Sequence, residues 1–267
     1  MSAVALDRAP AASTTATPAP IPFGRLAAVE LRKMFDTRSG FWLMTSIGSL
    51  ALLATGAVIV VAPDGSITYG AFTQAIGFPL AVILPIVAIL AVTSEWSQRS
   101  GLTTFTLVPH RGRVVAAKAA CTVGVGVTSM LLAFGIGALG NLLGAAVNGL
   151  GPVWDASLET YSMIMLADVI GMLVGFTLGV LLRSSAAAIV GYFVYSLLLP
   201  TVLGMLAAYQ EWFRDLRPWV DFNDDSTLLY DGGFTATDWL HLAVSGLLWL
   251  VLPLLLGLRL LLRSEVK

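Results

Sequence analysis

Asp168 poses the sharpest chemical question in this sequence. It is the only acidic residue in the apolar run 161–182, where a charged carboxylate costs about 2.5–3.5 kcal/mol on insertion scales. Such a group must accept a structural hydrogen bond, line a polar route, or sit closer to the end of the run than hydropathy suggests. Gln74 and Asn141 are weaker candidates of the same kind for lining such a route. The other reactive side chains do not gather into a catalytic set. His110 and His241 are isolated, no paired carboxylates fall in apolar runs, and the single cysteine, Cys121, excludes an intrachain disulfide or a thiolate metal cluster. DFNDDS, residues 221–226, offers oxygen ligands at the first, third and fifth places of a calcium loop. Ser226 stands at the sixth place where the loop needs glycine, and Gly232 at the twelfth where it needs glutamate, so no metal is expected. GIGALG, residues 135–140, matches G-x-G-x-x-G but lies inside an apolar run, not after a strand. No G-x-x-x-x-G-K-[ST] occurs, so this chain cannot cradle a nucleotide phosphate in that way. The expectation is a chain with no catalytic residues, no bound cofactor and no enzymatic activity of its own.

The elements that carry these residues are set by composition. Of 267 residues, 57% are hydrophobic and only 12% charged, and the mean hydropathy is +0.85; a soluble surface normally carries about a quarter charged residues. The chain is expected to be an all-α integral membrane protein. Six windows, near 41–62, 71–93, 119–147, 161–182, 186–208 and 239–262, are long enough to cross a hydrocarbon core of about 30 Å. Strands are the poorer reading, because barrel strands alternate over about ten residues and these runs do not. The N-terminal segment, the 94–118 stretch, the turn at Arg183 and the C-terminal end hold 13 of the 15 Lys and Arg residues, leaving only Arg214 and Arg217 on the opposite side. The positive-inside rule makes the first side cytoplasmic, with both termini there. A net charge of −1, split so unevenly across a bilayer, argues against a nucleic-acid partner.

Residues 1–22, rich in Ala, Thr and Pro, lack an apolar core and cleavage site of a signal peptide and read as a disordered tail. Residues 23–40 form an interfacial helix with Phe23, Leu26, Ala27, Leu31, Met34 and Phe35 on one face and Arg25, Arg32 and Asp36 opposite. Glu30 breaks that apolar face. It either snorkels to the headgroups or meets a protein partner beneath the membrane. SEWSQRSGLTTFTLVPHRGRVVAAKAA, from Ser94, is polar and mostly basic. Ser100 is a plausible N-cap, Leu102 and Phe105 share one side of about two helical turns, and Pro109 ends them. Flanking Glu95, Arg99, His110, Arg111, Arg113 and Lys118 keep the stretch out of the bilayer core. A short capped helix between two spans is a lever that needs something soluble to push on.

ELRKMFDTRSGFW before the first span and E-W-S-x-R-S-G-L-T-T-F-T-L-V-P-H-R-G-R-x-x-x-A-K after the second resemble the membrane subunits, or permeases, of type-2 ATP-binding-cassette exporters, especially actinobacterial ones. The motif covers about 40 residues, and the span layout covers the whole chain. The resemblance implies a six-span permease architecture with Glu30, Arg32 and Lys33 on a connecting helix. The run from Glu95 to Val108, including Arg99, Gly101, Leu102 and Phe105 and stopped by Pro109, would be a coupling helix seated on an ATPase subunit, with Arg111, Arg113 and Lys118 on the return path. It further implies two cytoplasmic ATP-binding subunits that hold ATP and magnesium, a second membrane subunit, identical or homologous, and a bacterial plasma membrane. Ser100-Gly101-Leu102 departs from the more usual Gly-Thr-Leu, which bears on the fine contact and not on the class.

The transmembrane unit is thus expected over 41–262, with a coupling loop at 94–118, an outer segment at 209–238 and a short cytoplasmic end at 263–267. In the outer segment Trp212, Phe213, Leu216 and Trp219 are expected at the interface with the acids in water, and the resemblance adds short re-entrant helices. Gly171, Gly175 and Gly179 on the fourth span, and Gly140 and Gly144 on the third, recur every fourth residue and permit close helix approach. Pro79 and Pro85 could break the second span. A secondary transporter or an accessory membrane protein is the alternative reading, and interrupted, symmetry-related spans would favour the former.

Overall fold

The computed structural model describes residues 21–36, 38–97, 111–155 and 157–263. Among these there are nine helices and no strand. They are α1 (Phe23–Asp36), α2 (Arg38–Val61), α3 (Tyr69–Ser97), α4 (Arg111–Val147), α5 (Leu158–Leu182), α6 (Ser185–Tyr209), α7 (Glu211–Val220), α8 (Phe222–Asp231) and α9 (Ala236–Arg263). Six of them, α2 to α6 and α9, are long and apolar enough to cross a membrane. This is a multi-pass membrane protein.

The helices outrun the apolar windows that announced them. Hydropathy marks where the hydrocarbon ends, while the i→i−4 ladder continues wherever nothing breaks it. So α3 continues to Ser97, and α4 begins at Arg111, eight residues before its apolar window, for a length of 37 residues. At about 1.5 Å per residue that is about 55 Å, well beyond a hydrocarbon core of about 30 Å.

α3 and α5 form the central pair, and theirs is the most extensive helix contact in the molecule. Glycine makes it possible. A Cβ placed on Gly175 would stand 2.7 Å from the Pro85 carbonyl oxygen, and one on Gly179 3.4 Å from that of Ile89. The fourth-residue repeat on α5 is therefore a seam against α3, as the spacing predicts. Pro85 and Pro79 lie within an unbroken α3, so the second span is not an interrupted helix. Leu80, Leu84, Met172, Phe176 and Val180 fill the surrounding core.

Two spans do change pitch. In α6 residues Val194–Leu198, and in α9 residues Leu247–Val251, form π turns. Each is followed closely by a proline, Pro200 and Pro253, which cannot donate to the carbonyl four residues back. The amide before each proline reaches one residue further instead: Leu199 N–H to Val194 O, and Leu252 N–H to Leu247 O. The two widened turns lie side by side, with the Tyr195 and Trp249 rings 5.8 Å apart.

The segment 148–157 folds over the far end of α3 and α4. Tyr69 N–H and Asn141 Nδ2 both donate to Val153 O, at 2.9 and 3.0 Å. Gly70 N–H donates to Asp155 Oδ1 at 2.6 Å, which caps the start of α3 with a carboxylate. Burial alone would raise the pKa of Asp155, but the Thr68 hydroxyl and the Gly70 N–H outweigh it and hold the carboxyl below its ordinary range.

Candidate functional site

α1 carries Glu30 and Lys33 one helical turn apart, α3 brings Glu95 close to its C-terminal end, and α4 brings Lys118 from its second turn. The four side chains meet. Lys33 Nζ lies 2.8 Å from Glu30 Oε1 and 3.4 Å from Glu95 Oε1. Lys118 Nζ bonds Glu30 Oε2, lies 3.3 Å from Glu95 Oε1 and donates to Ala91 O at 3.2 Å. Glu30, Glu95 and Lys118 are almost wholly buried, at 5%, 3% and 4% exposure. Two ammonium groups against two carboxylates leave the cluster neutral, the condition under which buried charges persist. Burial works against the Lys33 ammonium, yet its hydrogen bonds to and the charges of Glu30 and Glu95 hold its pKa above the ordinary lysine value.

This arrangement revises the reading of Glu30. It does not snorkel: it turns inward and pins α1 to α4 and, through the two lysines, to α3. Glu95 and Lys118 likewise are not solvated flanks of a polar stretch but buried members of the same cluster. Their pairing was legible in part, because opposite charges stand at the facing ends of consecutive spans. What hid it was the helical extension beyond the apolar windows, which carries both groups inside the protein.

The neighbouring arginines hold the same end together. Arg113 Nη2 donates to Ile21 O at 2.8 Å, and Arg111 Nη1 to Leu261 O at 3.0 Å. The start of α1, the start of α4 and the end of α9 are thus joined at one end of the bundle. Arg32 is exposed on α1. Arg99, Gly101, Leu102, Phe105 and Pro109 lie outside the described residues.

No protein-family model and no curated protein matches the chain. What the molecule can do must therefore be read from its own geometry.

The three polar residues proposed for a path are not brought together by any described hydrogen bond. Gln74 is exposed on α3. Asn141 is fully buried and holds the 148–157 segment through Val153. Asp168, 3% exposed, accepts a hydrogen bond from the Tyr230 hydroxyl at 2.9 Å through Oδ1, and its Oδ2 has no partner among the described residues. A tyrosine 62 residues away is a partner that no local spacing could announce.

The outer segment corrects a second expectation. α7 and α8 are helices, and two acids of this segment do not meet water: Asp221, between the helices, and Asp225, on α8, are 1% and 3% exposed. Asp221 accepts from Arg217 Nε at 3.0 Å and caps α8 by accepting from Asp224 N–H at 3.1 Å. Asp225 accepts from Ser245 Oγ of α9 at 2.5 Å. Burial pushes the Asp225 carboxyl up to about 6, against the lowering effect of Ser245 and His241. DFNDDS is therefore the beginning of a helix whose carboxylates hold other elements. Phe213 is buried, whereas Trp212 is exposed as expected of an interfacial ring.

Proposed function

We propose that this chain is the membrane subunit of a type-2 ATP-binding-cassette exporter in a bacterial plasma membrane. It works with a second membrane subunit and two ATP-binding subunits, which supply ATP and magnesium. The reading is supported by the charge cluster of Glu30, Lys33, Glu95 and Lys118. It fastens the interfacial helix α1 to both spans that bracket the segment 98–110, so a push on that segment moves α1, α3 and α4 as one body. A lever needs such a rigid seat. Substrate would cross between membrane subunits as the spans tilt, with no covalent chemistry in this chain.

The test is co-expression with a candidate ATP-binding subunit from the same organism, followed by reconstitution in liposomes. Transport should require ATP hydrolysis and persist when the proton gradient is collapsed. Gly101→Pro should uncouple hydrolysis from transport while the membrane subunit stays folded. Transport that runs on a proton gradient without any ATPase would overturn the reading.

A further inference from the structure

Two clefts meet beneath α1. The first, about 580 Å³, has the charge cluster at one end and Leu43, Val87 and Leu90 at the other. The second, about 720 Å³, runs between α2 and α4: Leu31 and Phe35 of α1 overhang it, Met44 and Ile47 form one wall, and Cys121 and Leu132 the other. Ala28, Phe35, Met44 and Val125 line both, so the clefts are one branched groove with a polar mouth and apolar arms. Along α4 the second arm extends from Ala120 to Ile136, about 24 Å at the helical rise and so most of the hydrocarbon thickness. An arm that apolar and that long fits an acyl chain.

The mouth selects a charge. Glu30 and Glu95 are matched by Lys33 and Lys118, which leaves the exposed Arg25 and Arg32 guanidinium groups against Asp36 among the residues lining it. Arg25 and Arg32 are seven residues apart and so share one face of α1. Basic pockets at the ends of spans bind anionic headgroups.

We propose that this groove is a binding site for an anionic glycerophospholipid, with its phosphate at Arg25 and Arg32 and an acyl chain between α2 and α4. The lipid supports α1 from below, where Leu31 and Phe35 would otherwise overhang an unfilled space. The site is independent of any ATPase.

The experiment uses the purified full chain in detergent with added phosphatidylglycerol or phosphatidylcholine, reading retained lipid by native mass spectrometry and stability by thermal unfolding. Phosphatidylglycerol should be retained at least about tenfold better, as two surface charges near a headgroup warrant. Arg25→Gln with Arg32→Gln should abolish that preference. Gly48→Leu with Gly124→Leu should displace both lipids. A Cβ on either glycine meets nothing within 4 Å, and both glycines line the second arm, so the added side chains start from open space at the groove wall. Should that pair fail to fold, the arginine pair alone decides. Glycerol phosphate, a headgroup without a tail, should not compete. Equal retention of the two lipids overturns the proposal, as do a preference that survives loss of both arginines and competition by glycerol phosphate. A groove-filling pair that keeps its lipid but loses a homodimer assigns the groove to a second copy of the chain and also overturns it.

Discussion

Lys118 faces two carboxylates in a setting from which water is nearly excluded, and its removal should be far more costly than loss of a surface lysine. Breaking a buried ion pair from one side costs about 3–5 kcal/mol because the orphaned charge stays behind. Lys118→Met should therefore lower the thermal midpoint of the purified chain by many degrees, and Glu30→Gln added to it should restore part of the loss. If the single variant unfolds at the wild-type temperature, the cluster does not hold α1 in place. Asp225 offers a second test at this scale. Its folded pKa of about 6 lies above the ordinary 3.8, so its contribution to stability is full below about pH 4 and is lost as the pH rises through about 6. Unfolding temperatures measured from pH 4 to pH 7.5 should fall across that window, and Asp225→Asn should flatten the part of the profile due to this group. A profile unchanged in the variant would mean that the outer helices do not bury this carboxyl. Neither environment was legible from residue type. Lys118 and Asp225 sit in sequence neighbourhoods that read as solvated, and only the distant partners, Glu30 and Ser245, give them their setting.

At the scale of the element, backbone approach decides what glycine means. Gly175→Ala places a methyl 2.7 Å from the Pro85 carbonyl, where neither backbone can yield, so overpacking by about 1–3 kcal/mol is expected. Gly124→Ala on α4 meets open space and should be neutral or slightly stabilising, since alanine is the better helix former. Equal behaviour of the two in thermal unfolding would remove the seam between α3 and α5 from the account. The fourth-residue repeat of Gly171, Gly175 and Gly179 was readable as a packing surface, because spacing alone puts those positions on one face. Which helix it meets was not readable, since α3 is far away in sequence. The six spans were legible for a plain reason: bilayer thickness fixes their length and composition. The π turns were not. A proline in an apolar run predicts a missing hydrogen bond, but whether the helix widens into a π turn, as before Pro200 and Pro253, or runs on unchanged, as at Pro79 and Pro85, depends on the neighbours.

For the whole molecule the open quantity is direction across the bilayer. The bonds from Arg113 to Ile21 and from Arg111 to Leu261 bring the beginning of α1, the start of α4 and the end of α9 to one pole, which is also the pole with most of the positive charge. Charge of that sign is retained on the cytoplasmic side during insertion. The opposite pole carries the 148–157 segment, α7 and α8, where acids outnumber bases. Single cysteines in a Cys121→Ala background convert this into an observation. Ser66→Cys and Asp231→Cys should react with a membrane-impermeant maleimide in intact cells, and Arg263→Cys should react only after the membrane is opened. Cys121 itself is buried, with its thiol donating to Ala27 O at 3.2 Å, and its replacement leaves each introduced cysteine as the one thiol of the chain. Labelling of residue 263 from outside would invert the molecule, and the inversion would reach every functional statement made of it. The groove under α1 would then open to the outer leaflet, and the segment 98–110 would face a compartment without ATP, where no nucleotide-driven partner could press on it.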